Sequence, residues 1–197
     1  MNNFMWSCLL IQCALFNAST ISAPLHFSVL PHIGYRYNTS YHLKALNVEF
    51  DHHGISTGFK SSFGSKSKRV VFEYIYSKSS ADYLFTNIKL TGPYNLHIFA
   101  LGFDYCLSMG SFGFIAGTGL GKAYSKYKIT PRVVSGPVLP VWLGYGGDIN
   151  YSGYYINFDT FINIKEDYSM HLNLGRYLFE KIRFNNIRFY LEYKLGL

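Results

Sequence analysis

Seven histidines, eleven carboxylates and three cysteines are the residues of this 197-residue chain that could do chemistry. A metal centre or a hydrolytic site needs such groups to converge. His52 and His53 are adjacent. On an extended chain neighbouring side chains point to opposite sides, so this pair chelates poorly and reads as part of a polar connection. His26, His32 and His171 can share a surface with Glu73, Asp104 and Asp159. No compact His-x-Ser motif stands beside them to anchor a nucleophile. Cys8 and Cys13 fall in an N-terminal apolar run, which leaves Cys106 without an intrachain partner once that run is removed. The expectation is therefore no catalytic residue, no metal and no cofactor.

The remaining charges are more informative. Arg36, Lys60, Arg188 and Lys194, with Glu73, Asp104, Asp159 and Glu192, all fall on the polar side of segments that alternate polar and apolar. A buried charge without a partner is prohibitively costly. If those polar sides turn inward, the eight residues must close into a network with each other and with water. A second set, Lys122, Lys126, Lys128 and Arg132, is interleaved with Tyr124 and Tyr127. It reads as a basic surface-loop patch able to hold phosphates or an acidic glycan, or as a basic interfacial girdle.

These side chains need strands to position them. In residues 188–197, Phe189, Leu191, Tyr193, Leu195 and Leu197 alternate with Arg188, Tyr190, Glu192, Lys194 and Gly196. Period two with one apolar face is a strand signature. It recurs over 27–37, 55–63, 70–77, 99–107, 112–121, 156–164 and 170–175. Val71 and Ile75 break the alternation of their segment. Short connections at 64–68, 108–110 and 165–168 alternate with longer ones at 39–53, 79–93, 128–151 and 178–186. A strand that ends the chain on an apolar face invites aggregation unless it closes onto the first strand. The fold class expected is all-β: an antiparallel transmembrane barrel of eight strands. Ten to twelve is the alternative if 41–50 or 138–150 turns an extra hairpin; Pro137 and Pro140 favour a connection for the latter.

Composition agrees. Charged residues are 15% and aromatic ones 19%, with 18 Tyr and 17 Phe. A barrel can place such rings against lipid and at its two interfaces. No internal stretch reaches the ~18 apolar residues that a membrane helix requires. The net charge of +7 is scattered rather than gathered on a helix, which argues against nucleic acid and suits anionic lipid. Residues 4–16 form a short apolar run followed by small residues, as in a secretory signal. The organisation expected is a signal peptide at 1–23 and a barrel domain at 24–197.

Three runs carry a resemblance: "GSFGFIAGTGLGKAY", "EDYSMHLNLGRYLF" and "IRFYLEYKLGL". They resemble the last strands of the opacity-type surface porins, grouped with the eight-stranded barrels related to the membrane domain of outer-membrane protein A. "SKRVVFEYIYSKSSAD" is similar to the third strand and second loop of that family. Gly117, Gly119 and Gly121 match its glycine-spaced strand; Gly175 and Tyr177 match part of the penultimate one. Arg176 stands where an outward aromatic is expected, and Leu197 where such barrels end in Phe or Trp. The resemblance implies a monomeric barrel in the outer membrane of a Gram-negative bacterium, with its short turns in the periplasm. The partners implied are outer-membrane lipid and lipopolysaccharide, the barrel-insertion machinery and a host surface ligand. The role implied is structural or adhesive; the alternatives are a narrow porin and a lipid-A-modifying barrel enzyme.

Overall fold

The structure is a computed structural model. It describes residues 25–43, 48–85, 88–133, 145–180 and 182–196, with side chains placed over 25–37, 53–78, 95–125, 150–180 and 183–195. The expected signal peptide, Pro137, Pro140 and Leu197 lie outside the described residues.

Eight strands form a closed antiparallel barrel in chain order. They are β1 (His26–Leu43), β2 (Val48–Gly64), β3 (Lys68–Phe85), β4 (Ile88–Met109), β5 (Phe112–Val133), β6 (Tyr145–Lys165), β7 (Tyr168–Phe179) and β8 (Ile182–Gly196). Closure is made by β1 on β8, from His26↔Gly196 to Tyr41↔Ile182. The strand that reads as an exposed apolar edge in the sequence therefore has a neighbour on each side.

The register fixes the barrel's shape. The pairing path from His26 passes through Gly64, Arg69, Asp104, Gly117, Asn157, Gly175 and Asn186, and returns to β1 at Arg36, ten residues further along. Ten residues of about 3.3 Å against eight strand spacings of about 4.8 Å give a tilt of about 40°. On this path Asp104, Asn157, Asn186 and Arg36 are buried inside, and Gly64, Gly117 and Gly175 leave space between them.

One end of the barrel has tight turns. Ser65 N–H donates to the Lys68 carbonyl at 2.9 Å, and Lys68 N–H to Ser65 Oγ at 3.1 Å. The β4–β5 turn is built on Gly110, whose φ of 68° is left-handed and suits glycine. Toward the far end the strands run on well past the expected limits. Tyr41 pairs with Phe50, Leu84 with Lys89, and Ile129 with Tyr145. Much of 39–53, 79–93, 128–151 and 178–186, read as long connections, is thus strand. Residues 41–43 belong to β1 and residues 48–50 to β2. The reason is physical: period-two hydrophobicity marks only the stretch of a strand that presents an apolar face, whereas the backbone ladder continues without it.

The faces separate cleanly. Ile33, Ile55, Leu101, Leu107, Ile156, Ile162, Met170 and Phe189 are among a large set of exposed apolar side chains that rings the outside. The inside holds Arg36, Lys60, Glu73, Asp104, Asp159, Arg188 and Glu192, all buried. It also holds apolar groups that a purely polar lumen does not include: Leu30, Val71, Ile75, Leu96, Ile98, Ile115, Tyr155, Phe161, Tyr177, Phe179 and Phe184. Val71 and Ile75 are thus inward residues, not breaks in the strand.

Candidate functional site: a closed luminal network

Glu73 on β3 is the hub of the middle of the lumen. Its Oε1 accepts from Arg188 Nη1 at 2.5 Å and from the Tyr190 hydroxyl at 2.8 Å. Its Oε2 accepts from the Tyr177 hydroxyl at 2.7 Å. Arg188 also donates through Nη2 to Asn173 Oδ1 at 2.7 Å. Its guanidinium carbon lies 5.4 Å from the Tyr177 ring centroid and 5.3 Å from that of Tyr190. Charge, hydrogen bonds and aromatic faces together replace the water that both ions gave up. A glycine makes the space: a Cβ at Gly34 would collide with Arg188 Cγ and the Ile187 carbonyl.

Nearer the tight turns, Lys60 pairs with Asp104. Gly117 lies beside Asp104 in the ladder, and a side chain there would strike both Asp104 Oδ1 and Asn157 Oδ1. Next comes a second hub on Glu192. It takes Arg69 Nη1 at 2.7 Å, the Ser169 hydroxyl at 2.7 Å and His171 Nε2 at 3.1 Å. His171 Nδ1 faces Asp159 Oδ1 at 3.3 Å, and Phe161 stacks on the ring with centroids 5.2 Å apart. Lys194, half-buried at the mouth, donates to Asn163 Oδ1 at 2.9 Å and lies 3.9 Å from Glu192. Arg36 is buried at the other extreme of the network, with its guanidinium carbon 5.8 Å from the Phe184 ring centroid.

The eight residues read from the sequence all line the lumen, and each of the four acids meets a cation or a histidine. Arg188 joins Glu73, Lys60 joins Asp104, His171 joins Asp159, and Lys194 lies near Glu192. Sequence reading misses Arg69, Ser169 and Asn173, and it does not assign Tyr177 a luminal role. The run from Ser169 to Asn173 carries a signal for two of these, since period two puts Ser169 and Asn173 on one face with His171.

Ser169, His171 and Asp159 invite comparison with a hydrolytic triad, because Ser169 Oγ lies 2.9 Å from His171 Nε2. The chemistry differs. The Ser169 hydroxyl donates to Glu192, so its oxygen accepts from the imidazole instead of losing a proton to it. Ser169 is also fully buried. The cluster serves as an ionic clamp joining β6, β7 and β8. Below it the lumen opens into a recess of about 630 Å³ at the tight-turn end, lined in part by Arg69, Cys106, Asn163 and Lys194.

Toward the far end, rings fill the lumen. Tyr177 stacks on Phe184 with centroids 4.7 Å apart and on Tyr155 at 5.5 Å. Ile75, Leu96 and Ile98 pack inward from β3 and β4. The Glu73 hub and then this aromatic layer stand between the recess and that end.

Outside, exposed Tyr168 and Tyr193 meet near the tight turns, 5.1 Å apart. Tyr35, Tyr124 and Tyr154 are exposed toward the other end. Two aromatic girdles therefore bracket an apolar band, as a bilayer requires of a barrel. Lys122 is exposed on this outer surface. Lys126, Lys128 and Arg132 belong to β5, not to a loop, and their side chains lie outside the described set.

No family model and no curated protein matches the sequence. Solved structures do match in fold. The outer-membrane protein OprG from Pseudomonas aeruginosa superposes with a TM-score of 0.58 at 10% identity, covering 89% of this chain and 97% of that one. The N-terminal β-barrel domain of OprF from the same species gives 0.55 at 9% identity, over 86% and 97%. Ail, the attachment invasion locus protein of Yersinia pestis, gives 0.52 at 7% identity, over 88% and 99%. At such identities the likeness shows the fold alone. The chain has the eight-stranded barrel fold of small outer-membrane proteins, the class that its last strands resemble.

Proposed function

We propose that this chain is a small outer-membrane barrel of a Gram-negative bacterium that holds its extended strand ends at the cell surface for a structural or adhesive role, without catalysing a reaction. A signal peptide at 1–23 exports it, and the barrel-insertion machinery folds it as a monomer with the tight turns in the periplasm. The observation that carries this reading is the inversion of a soluble fold. Exposed apolar side chains ring the exterior, while seven charged residues of the network are buried inside. The fold shared with OprG, OprF and Ail supports it. The attachment role printed for Ail suits the adhesive version, in which β1 to β6 reach past the apolar band toward a host surface ligand.

The test is cell fractionation combined with mobility on a denaturing gel before and after boiling. The expected result is recovery with the outer membrane and a mobility that changes only on boiling. Complete extraction as a soluble protein would contradict the membrane reading.

A further inference from the structure

Arg176 occupies an unusual place: it is exposed on the outer face of β7, in a row that otherwise meets lipid. Its ladder partner on β6 is Ile156, 54% exposed, and Leu174 two residues away is 48% exposed. On β8 it pairs with Asn185, and the next outward pair is Leu178↔Arg183. Arg183 is exposed too and is therefore the diagonal neighbour of Arg176 on one surface. Among the described residues, no ion pair joins either arginine to a carboxylate. Glu180, exposed at the end of β7, hydrogen-bonds through its backbone N–H to the Ser152 carbonyl.

Two guanidiniums side by side repel each other, and lipid tails solvate neither. Tyr154, exposed in the girdle, pairs with Leu178 and so marks the depth of this row. This is the end away from the tight turns, the outer leaflet under the proposed orientation. The anions at that depth are the phosphates of the outer-leaflet glycolipid. Arginine's planar fork matches phosphate oxygens with two parallel N–H donors, and Asn185 between the pair adds a neutral amide. We infer that Arg176 and Arg183, with Asn185, form a lipid-facing site on β7–β8 for a phosphate group of lipopolysaccharide. This rests on the outer-membrane reading above. It differs from a diffuse basic girdle in being local: Lys122, two strands away from β7, stands outside it.

The experiment uses the full chain folded in detergent micelles and measures binding of fluorescent lipopolysaccharide. Arg176→Gln combined with Arg183→Gln should weaken binding by about tenfold or more, since charge-assisted fork contacts are lost. Lys122→Gln should change it by less than about twofold, as expected of a diffuse interfacial charge. Dephosphorylated lipopolysaccharide should bind the unaltered protein about as weakly as the double variant binds the native lipid. Inorganic phosphate should not compete at millimolar concentration; effective competition would indicate a free-phosphate site and overturn the lipid assignment. Equal, small losses for Lys122→Gln and the arginine variants would indicate a girdle and overturn the site. Gel mobility before boiling reports folding in every arm. If the double variant does not fold, Arg183→Gln alone, nearer the strand end, carries the test and should still weaken binding more than Lys122→Gln. Unaltered protein lacking a boiling-dependent shift would count against the barrel reading itself, whereas a folded protein indifferent to the arginines counts against this site alone.

Discussion

The two halves of the Arg188–Glu73 pair are not equivalent, because their surroundings differ. Glu73 accepts from two phenol hydroxyls as well as from Arg188. Without Arg188 the carboxylate keeps both. Without Glu73, the guanidinium keeps Asn173 and the faces of Tyr177 and Tyr190 but loses its ion-pair partner. Glu73→Leu should therefore destabilise the barrel by about 3–5 kcal/mol, the usual cost of stranding a buried charge, and Arg188→Leu by less. Urea unfolding in lipid vesicles measures both. Gly34→Ala belongs at this scale too. The added methyl meets the Ile187 carbonyl, which is backbone and cannot swing aside. The variant should fold with lower stability than Gly121→Ala, where the nearest atom, the Phe99 carbonyl oxygen, would lie farther off at 2.9 Å. The inward side of the charged residues was legible from parity: Glu73, Asp104, Asp159, Arg188 and Glu192 are all buried inside. Which of them meet was not legible. Glu73 on β3 reaches Arg188 on β8 only because the barrel closes with an offset of ten residues, and an offset is a property of the register between strands, invisible in any one of them.

Strand β8 tests the face assignment. Leu191 and Leu195 are exposed to the outside and Lys194 is half-buried on the inside. Leu195 pairs with Phe27 at the start of β1, close to the tight-turn interface, whereas Leu191 pairs with Met170 deeper in the band. Leu191→Arg should cost roughly 2–4 kcal/mol and Leu195→Arg roughly 0–1, following the depth dependence of charge on a lipid face. Lys194→Gln should cost less than Leu191→Arg, because Glu192 retains Arg69, Ser169 and His171. The folded fraction in vesicles ranks the three; equal folding of Leu191→Arg and Lys194→Gln would show the faces to be misassigned. At this scale the strands' existence and pairing partners were legible, since alternation and turn residues mark them. Their far ends were not. Past Tyr76, β3 continues to Phe85 through Ser-Lys-Ser-Ser-Ala-Asp, a run with no apolar period whose ladder with β4 runs on to Phe85↔Ile88. The aromatic filling was likewise hidden. In Arg176-Tyr177-Leu178-Phe179 every second residue is a ring, and periodicity alone does not say whether rings face lipid or lumen.

At the scale of the whole molecule, two successive layers of described side chains cross the lumen. The Glu73 hub crosses it at mid-height, and the stack of Tyr155, Tyr177 and Phe184 follows toward the far end. The recess of about 630 Å³ lies at the tight-turn end, on the other side of these layers. In planar bilayers the purified barrel should give no large, steady channel; a reproducible conductance of the general-porin kind would favour the porin alternative. The central claim, however, is the inversion itself: apolar side chains in lipid and the charged network inside. Two phenylalanines on one strand measure it directly. Phe158 is exposed on the outer face of β6, and Phe161 on the same strand is buried inward against His171. With Trp6 and Trp142 replaced by Phe, each position is changed in turn to Trp and the barrel is folded into vesicles whose acyl chains carry bromine. The expected result is strong quenching of Phe158→Trp and little of Phe161→Trp. Equal quenching of the two, or stronger quenching of Phe161→Trp, would contradict it.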